Sequence, residues 1–219
     1  MNPLMSQLAA LALAAVCMLC GGCLELQQSV ELRRDGSAYV TYDYSLPLET
    51  VPVLEDMQAV IDEGAGEADA VAGHGGNGFL NRVAVENFCA KTPGVALRRY
   101  TSHDSQGLRK IHYEIEAKNG ESAINQGVFG AFRLETLEDG RHRLYAELPQ
   151  GVSHLNAERT AALKQLTEGM RLRLAVQVPT PIEQTTGTLV NHRLTASWAF
   201  DGKAGNHPLD GLPKMELIW

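Results

Sequence analysis

His103-Asp104-Ser105 sets the three residue types of a hydrolytic triad side by side. Consecutive residues in a turn cannot converge as a triad, because each partner must approach the next from a different direction. The GxSxG elbow that presents a hydrolase serine is also missing, so the triplet reads as a polar hairpin turn. Seven histidines raise metal binding as a second chemistry. His103 and His112 fall on neighbouring strands, whereas His74, His142, His154, His192 and His207 are scattered. No HExxH, HxH or Cys-His spacing occurs, and such spacings are what put two ligands on one face. His112, His142 and His192 read as solvent-facing, and neither a metal nor another cofactor is expected. Gly73 to Gly78 (GHGGNG) lacks the GK[ST] of a phosphate loop and follows no strand. Glu49, Glu55, Asp56, Asp62 and Glu63 read as a solvated acidic face. Cys89, beside Phe88 on the apolar side of a helix, reads as a buried inert thiol. Tyr113, Trp198 and Phe200 read as core, or as the lining of an apolar cavity. No catalytic residue is expected.

One cysteine stands apart. Leu8 to Leu19 (LAALALAAVCML) is an apolar run, too short for a membrane span of about 20 residues and suited to the core of a signal peptide. Cys20, Gly21, Gly22 and Cys23 follow, and the first charged side chain is Glu25. This pattern resembles a lipobox, in which the signal is removed before a cysteine that carries acyl chains. It departs from the pattern in having Cys20 at the usual leucine position, with Leu19 one place further out, and in an MNPLMSQ start without Lys or Arg. The alternatives are a plain secretion signal or a buried N-terminal helix of a cytosolic protein. Of four cysteines, Cys17 and Cys20 would leave with the signal, and an acylated Cys23 would leave Cys89 alone, without a disulfide partner. Residues 1–22 are therefore expected to be a signal peptide, with 23–219 forming one domain tethered through lipid on Cys23. Leu24, rather than Asp, after the cysteine points to the outer membrane facing the periplasm if the host is Gram-negative. The net charge of −7 argues against nucleic acid, which is bound mainly by neutralising phosphates, and against electrostatic docking on anionic lipid.

The elements beyond Cys23 read mostly as hairpins. Leu24 to Pro47 alternates on both sides of Asp35-Gly36, with Leu24, Leu26, Val30 and Leu32, then Ala38, Val40, Tyr42, Tyr44 and Leu46, on the apolar face. Thr50 is a candidate N-cap for a helix over Val51 to Glu63, followed by a flexible Gly-rich loop at Gly64 to Gly78. A second helix is predicted from Asn77 to about Ala90, with Leu80, Val83, Ala84 and Phe88 inward. Val95 to Tyr100 and Leu108 to Ala117 form a hairpin across Asp104 to Gly107, and Phe129 to Leu137 and Arg141 to Leu148 another across Asp139-Gly140. A third helix spans Asn156 to Gly169. Strands follow at Arg171 to Val178 and Arg193 to Phe200, with a last one at Met215 to Trp219. Hairpins interrupted by helices give an α+β class, antiparallel β-hairpins forming a curved sheet packed by about three helices.

Three stretches carry a family resemblance: CLELQQSVELRRDGSAYVTYDYSLP, PGVALRRYTSHDSQGLRKIHYEIEAKNGESAIN and RLAVQVPTPIEQTTGTLVNHRLTASWAF. Their order resembles the LppM-type (DUF3153-like) bacterial lipoproteins. The resemblance implies an anchored α+β envelope domain, with lipid or glycolipid binding in some members. Many members carry a C-terminal hydrophobic helix, which this sequence lacks up to Trp219. The expected function is that of a non-enzymatic envelope lipoprotein binding a lipid, glycolipid or other envelope component. The alternative is a structural or assembly protein that meets an envelope protein partner through its surface.

Overall fold

Strands with one apolar edge per pleat must bury that edge, and here they do so in two sheets. The computed structural model describes residues 24–52, 80–130, 132–146, 169–202 and 214–219. The first hairpin joins β1 (Glu25–Leu32) to β2 (Ala38–Pro47) through a turn in which Asp35 accepts from Ser37 N at 3.0 Å and Gly36 takes φ 81°. The second joins β3 (Val95–Ser105) to β4 (Leu108–Ala117). Its strands run further than the sequence suggests, and only Gln106 and Gly107 turn, with φ of 54° and 76°. Two successive positive-φ residues match the right-handed twist of the flanking strands, so pairing continues to Ser105. The third joins β5 (Phe132–Thr136) to β6 (His142–Ala146).

The large sheet also takes in β7 (Arg171–Gln177), β9 (Thr188–Val190) and β10 (Thr195–Asp201), in the order β3-β4-β2-β1-β7-β10-β9. A second sheet, β5-β6-β11-β8, is completed by β8 (Gln184–Thr185) and β11 (Glu216–Ile218). The expected single curved sheet is thus two sheets, and the large one is mixed, because β1 and β7 pair in parallel. Alternation shows which face of a strand is buried and is silent on its neighbours, which is why both features escape a sequence reading. The chain passes from one sheet to the other between β8 and β9. A Cβ on Gly187 would lie 2.7 Å from the Trp198 ring and 2.8 Å from Ser197 O, so only glycine fits this crossing.

Two α-helices lie among the described residues, where about three were expected. The first, α1 (Arg82–Lys91), starts at Asn81, whose side chain accepts from Ala84 N at 2.8 Å. That cap starts the helix later than predicted, while Leu80 is buried and Phe88 packs on the core as expected. Val85 and Cys89 are buried, while Val83 is 63% exposed rather than inward. The second, α2 (Gly120–Asn125), is capped by Asn119 through Ser122 N at 2.9 Å and buries Ala123 and Ile124. The signal peptide, Cys23, the 64–78 loop, the 156–168 part of the third predicted helix and the predicted 51–63 helix beyond Pro52 fall outside the described residues. Among the described residues no helix is long and apolar enough to cross a membrane.

The core lies on the inner face of the large sheet, where Val30, Val40, Tyr113, Ile115, Val176 and Ala196 are at most 2% exposed. Tyrosines thread this layer: Tyr113 stacks on Tyr42 at 4.7 Å, Tyr44 at 5.8 Å and Tyr100 at 6.2 Å. Their buried hydroxyls need partners. Tyr44 and Tyr113 share a hydrogen bond of 3.0 Å, Tyr100 donates to Leu80 O at 2.9 Å, and the buried Gln28 amide donates to Tyr42 OH and Phe129 O.

Candidate functional site

Register decides what the outer face of the large sheet brings together. Glu25 pairs with Ser45, Ser45 with Lys110, and Lys110 with His103, while Arg171 flanks Glu25 on the other side. One row therefore reads Arg171, Glu25, Ser45, Lys110, His103 across five strands. The next row reads Arg173, Gln27, Asp43, His112, Thr101. Between these rows opens a cleft of about 260 Å³. Both rows cross β1 within three residues of Leu24, whose carbonyl already accepts from Arg171 N at 2.8 Å. The cleft therefore lies at the end of the sheet where the chain enters it.

At its centre His112 is clamped between two carboxylates. Its Nδ1 lies 2.8 Å from Asp43 and its Nε2 3.0 Å from Glu114. Glu114 also accepts from Tyr39 OH. With both ring nitrogens held by carboxylates, the imidazole has none left for a nucleophile, and the arrangement favours imidazolium. Burial by itself lowers the His112 pKa, but the hydrogen bonds and charges of Asp43 and Glu114 outweigh it and the net shift is upward. Hydrogen bonds from Tyr39 and His112 hold Glu114 below its ordinary value. Burial, then Glu114, pushes Tyr39 up to about 12.

The pH consequence follows from the signs. A raised histidine pKa adds stability that is complete below the ordinary value of 6.5 and fades as pH rises through the folded-state pKa. A depressed Glu114 adds stability that is complete above 4.5 and fades as pH falls. The cluster therefore contributes most between these two values. His112→Gln should destabilise by about 1 kcal/mol near pH 5.5, and the gap from the unsubstituted protein should close by pH 8.5. Urea unfolding of both proteins at the two pH values measures this, and a gap that widens with pH refutes the clamp.

The other residues singled out in the sequence lie apart. Asp104 turns from His103 and Ser105 to Arg109, at 2.9 and 3.1 Å, so the triad types do not converge. His142 contacts Thr136 Oγ1 at 3.2 Å and packs on Trp219. His192 is exposed in a left-handed turn with Asn191 and Arg193, at φ 52° to 65°. Cys89 is buried, and that burial pushes its thiol up to about 11. Tyr113, Trp198 and Phe200 are all buried, and Trp198 Nε1 donates to Thr186 Oγ1 at 3.1 Å. Among the described residues no group of three or more His, Cys, Asp or Glu side chains is arranged to hold a metal ion. His74, His154, His207 and Cys23 fall outside them.

Asp43, Glu114 and Tyr39 were not singled out from the sequence. Alternation puts each on the outer face, but their meeting with His112 needs the β2–β4 pairing, which joins residues as far apart as Asp43 and His112.

A mostly-β domain of two sheets, one of them mixed, with its polar cleft beside the entry strand, is the class that fold and site define. The fold is similar to the NMR structure of the folded domain of LppM from Mycobacterium tuberculosis, at 12% identity and a TM-score of 0.45 over 90% of each chain. No protein-family model matches the chain, and no curated protein matches it in sequence.

Proposed function

We propose that this chain is a bacterial envelope lipoprotein, held at a membrane by acyl chains on Cys23, that binds a lipid, glycolipid or other envelope component without catalysing a reaction. The observation that carries this reading joins sequence to fold. The apolar run and Gly21-Gly22-Cys23 end one residue before Leu24, and Leu24 is already hydrogen-bonded into the large sheet. An acylated Cys23 would thus seat the domain directly against the headgroups with almost no tether. Two or three acyl chains, at about 0.8 kcal/mol per buried CH₂, give stable attachment where one would not. An outer-membrane location facing the periplasm accords with Leu24 after the cysteine.

A second reading, an assembly protein working through its surface, draws on the edge strand β9. Its Leu189 and Val190 are 37% and 45% exposed, and an uncovered apolar edge invites a pairing partner. Mass spectrometry of the protein extracted intact from bacterial envelope tests both. The anchored reading predicts a chain that starts at Cys23 and carries acyl groups, with a lipid co-purifying at fixed stoichiometry. An unmodified chain that retains residues 1–22 would overturn the anchor. An acylated chain with no bound lipid would move the weight to the assembly reading.

A further inference from the structure

We propose that the cleft formed by Glu25, Asp43, Ser45, Thr101, His103 and Lys110 binds the zwitterionic headgroup of a phospholipid of the phosphoethanolamine type, at the membrane to which the chain is tethered. The inference rests on the anchored reading for its location and on the cleft's own chemistry for its ligand. Glu25 lies two residues from Cys23, so their Cα atoms are at most about 7 Å apart. A lipid-bearing Cys23 therefore places the cleft at headgroup depth.

The cleft's charges are separated by strand. The side chains of Lys110 on β4 and of His103 on β3, the latter beside Asp104, make no hydrogen bond among the described residues, and with Thr101 and Ser45 they offer donors to a phosphate. Glu25 on β1 and Asp43 on β2 supply the opposite sign. Each is held from one side, Glu25 by Arg171 at 2.9 Å and Asp43 by His112 at 2.8 Å, and their side chains remain 51% and 49% exposed. Adjacent strands lie about 4.8 Å apart; Glu25 lies two spacings from Lys110, His103 one spacing beyond Lys110, and Lys110 and Asp43 are separated by a single spacing. A phosphate joined by a two-carbon arm to an ammonium spans that interval. A purely anionic ligand would meet Asp43 and Glu25, and a purely cationic one would meet Lys110, so a ligand carrying both charges fits best.

The experiment uses the full acylated protein, ¹⁵N-labelled in maltoside micelles, titrated with glycerophosphoethanolamine, glycerophosphoglycerol and ethanolamine. Glycerophosphoethanolamine should give saturable amide shifts confined to residues 43–45, 101–103 and 110–112. Lys110→Gln and Asp43→Asn should each weaken binding about tenfold, the loss of one charge-assisted contact, and Lys110→Arg should retain it. Absence of a saturable shift, equal binding of glycerophosphoglycerol, or unchanged binding by Lys110→Gln would overturn the headgroup site. The intact mass of the same sample reads the anchor separately. An unacylated chain that still binds glycerophosphoethanolamine sinks the tether and keeps the site, whereas an acylated chain that binds nothing does the reverse.

Discussion

Cys23→Ser should move the protein from the membrane fraction to the soluble fraction, or leave it as an uncleaved precursor. A serine hydroxyl cannot replace the thiolate that forms the thioether, so diacylglyceryl transfer fails and the lipid-dependent cleavage before residue 23 fails with it. On the proposed anchoring the expected effect is close to all-or-none, because attachment would come from acyl chains at about 0.8 kcal/mol per buried CH₂. The chain is acidic, at −7 overall, which opposes adsorption to anionic lipid. Residue 23 precedes β1, so the folded domain should be unaffected, and far-ultraviolet circular dichroism of the released protein checks this. Fractionation with intact-mass analysis gives the answer. A serine variant cleaved at the same place and still membrane-bound would contradict the lipoprotein assignment.

Tyr113→Ala should have the largest effect on stability among single changes in the large sheet. Its ring is fully buried and touches three other tyrosines, with Tyr42 nearest at 4.7 Å. Removing a buried aromatic ring costs about 3–5 kcal/mol in lost transfer energy and unfilled cavity. The variant also takes away the 3.0 Å partner of the Tyr44 hydroxyl, adding about 1–3 kcal/mol if that group stays dry. A domain with about 5–15 kcal/mol in total would lose much of its stability. Tyr113→Phe separates the two causes, since it keeps the ring and removes only the hydroxyl, and should cost about 1–3 kcal/mol. Urea unfolding followed by tryptophan fluorescence measures both. Equal midpoints for Tyr113→Ala and the unsubstituted protein would mean that the tyrosine stack does not stabilise the sheet.

Much of the local structure was written in the sequence. Alternation through Val30 and Leu32, Val40 to Leu46, and Ile111 to Ala117 assigned buried faces that the fold keeps, because a strand's side chains have a fixed period of two and water sorts them. Asp35-Gly36 and Asp139-Gly140 turn where expected, with both glycines at positive φ. The α1 face was legible in part: Leu80 and Cys89 are buried and Phe88 packs on the core as expected, while Val83 is exposed and Val85, about 200° further round the helix, is buried instead. Pairing within the three hairpins was legible, but pairing between them was not. Nothing local to Ser29 states that it faces Ala175 in parallel, or to Asp43 that it faces His112. Nor does anything in Thr185 to Thr188 announce a change of sheet. Those choices depend on how whole faces pack across long stretches of chain, and a one-residue change of register would send Asp43 to the opposite face. The lipobox-like cysteine, the strand faces and the turns are thus properties of the sequence itself. The mixed sheet, its partner sheet and the rows of charge beside Leu24 exist only once non-local packing has selected each strand's neighbours.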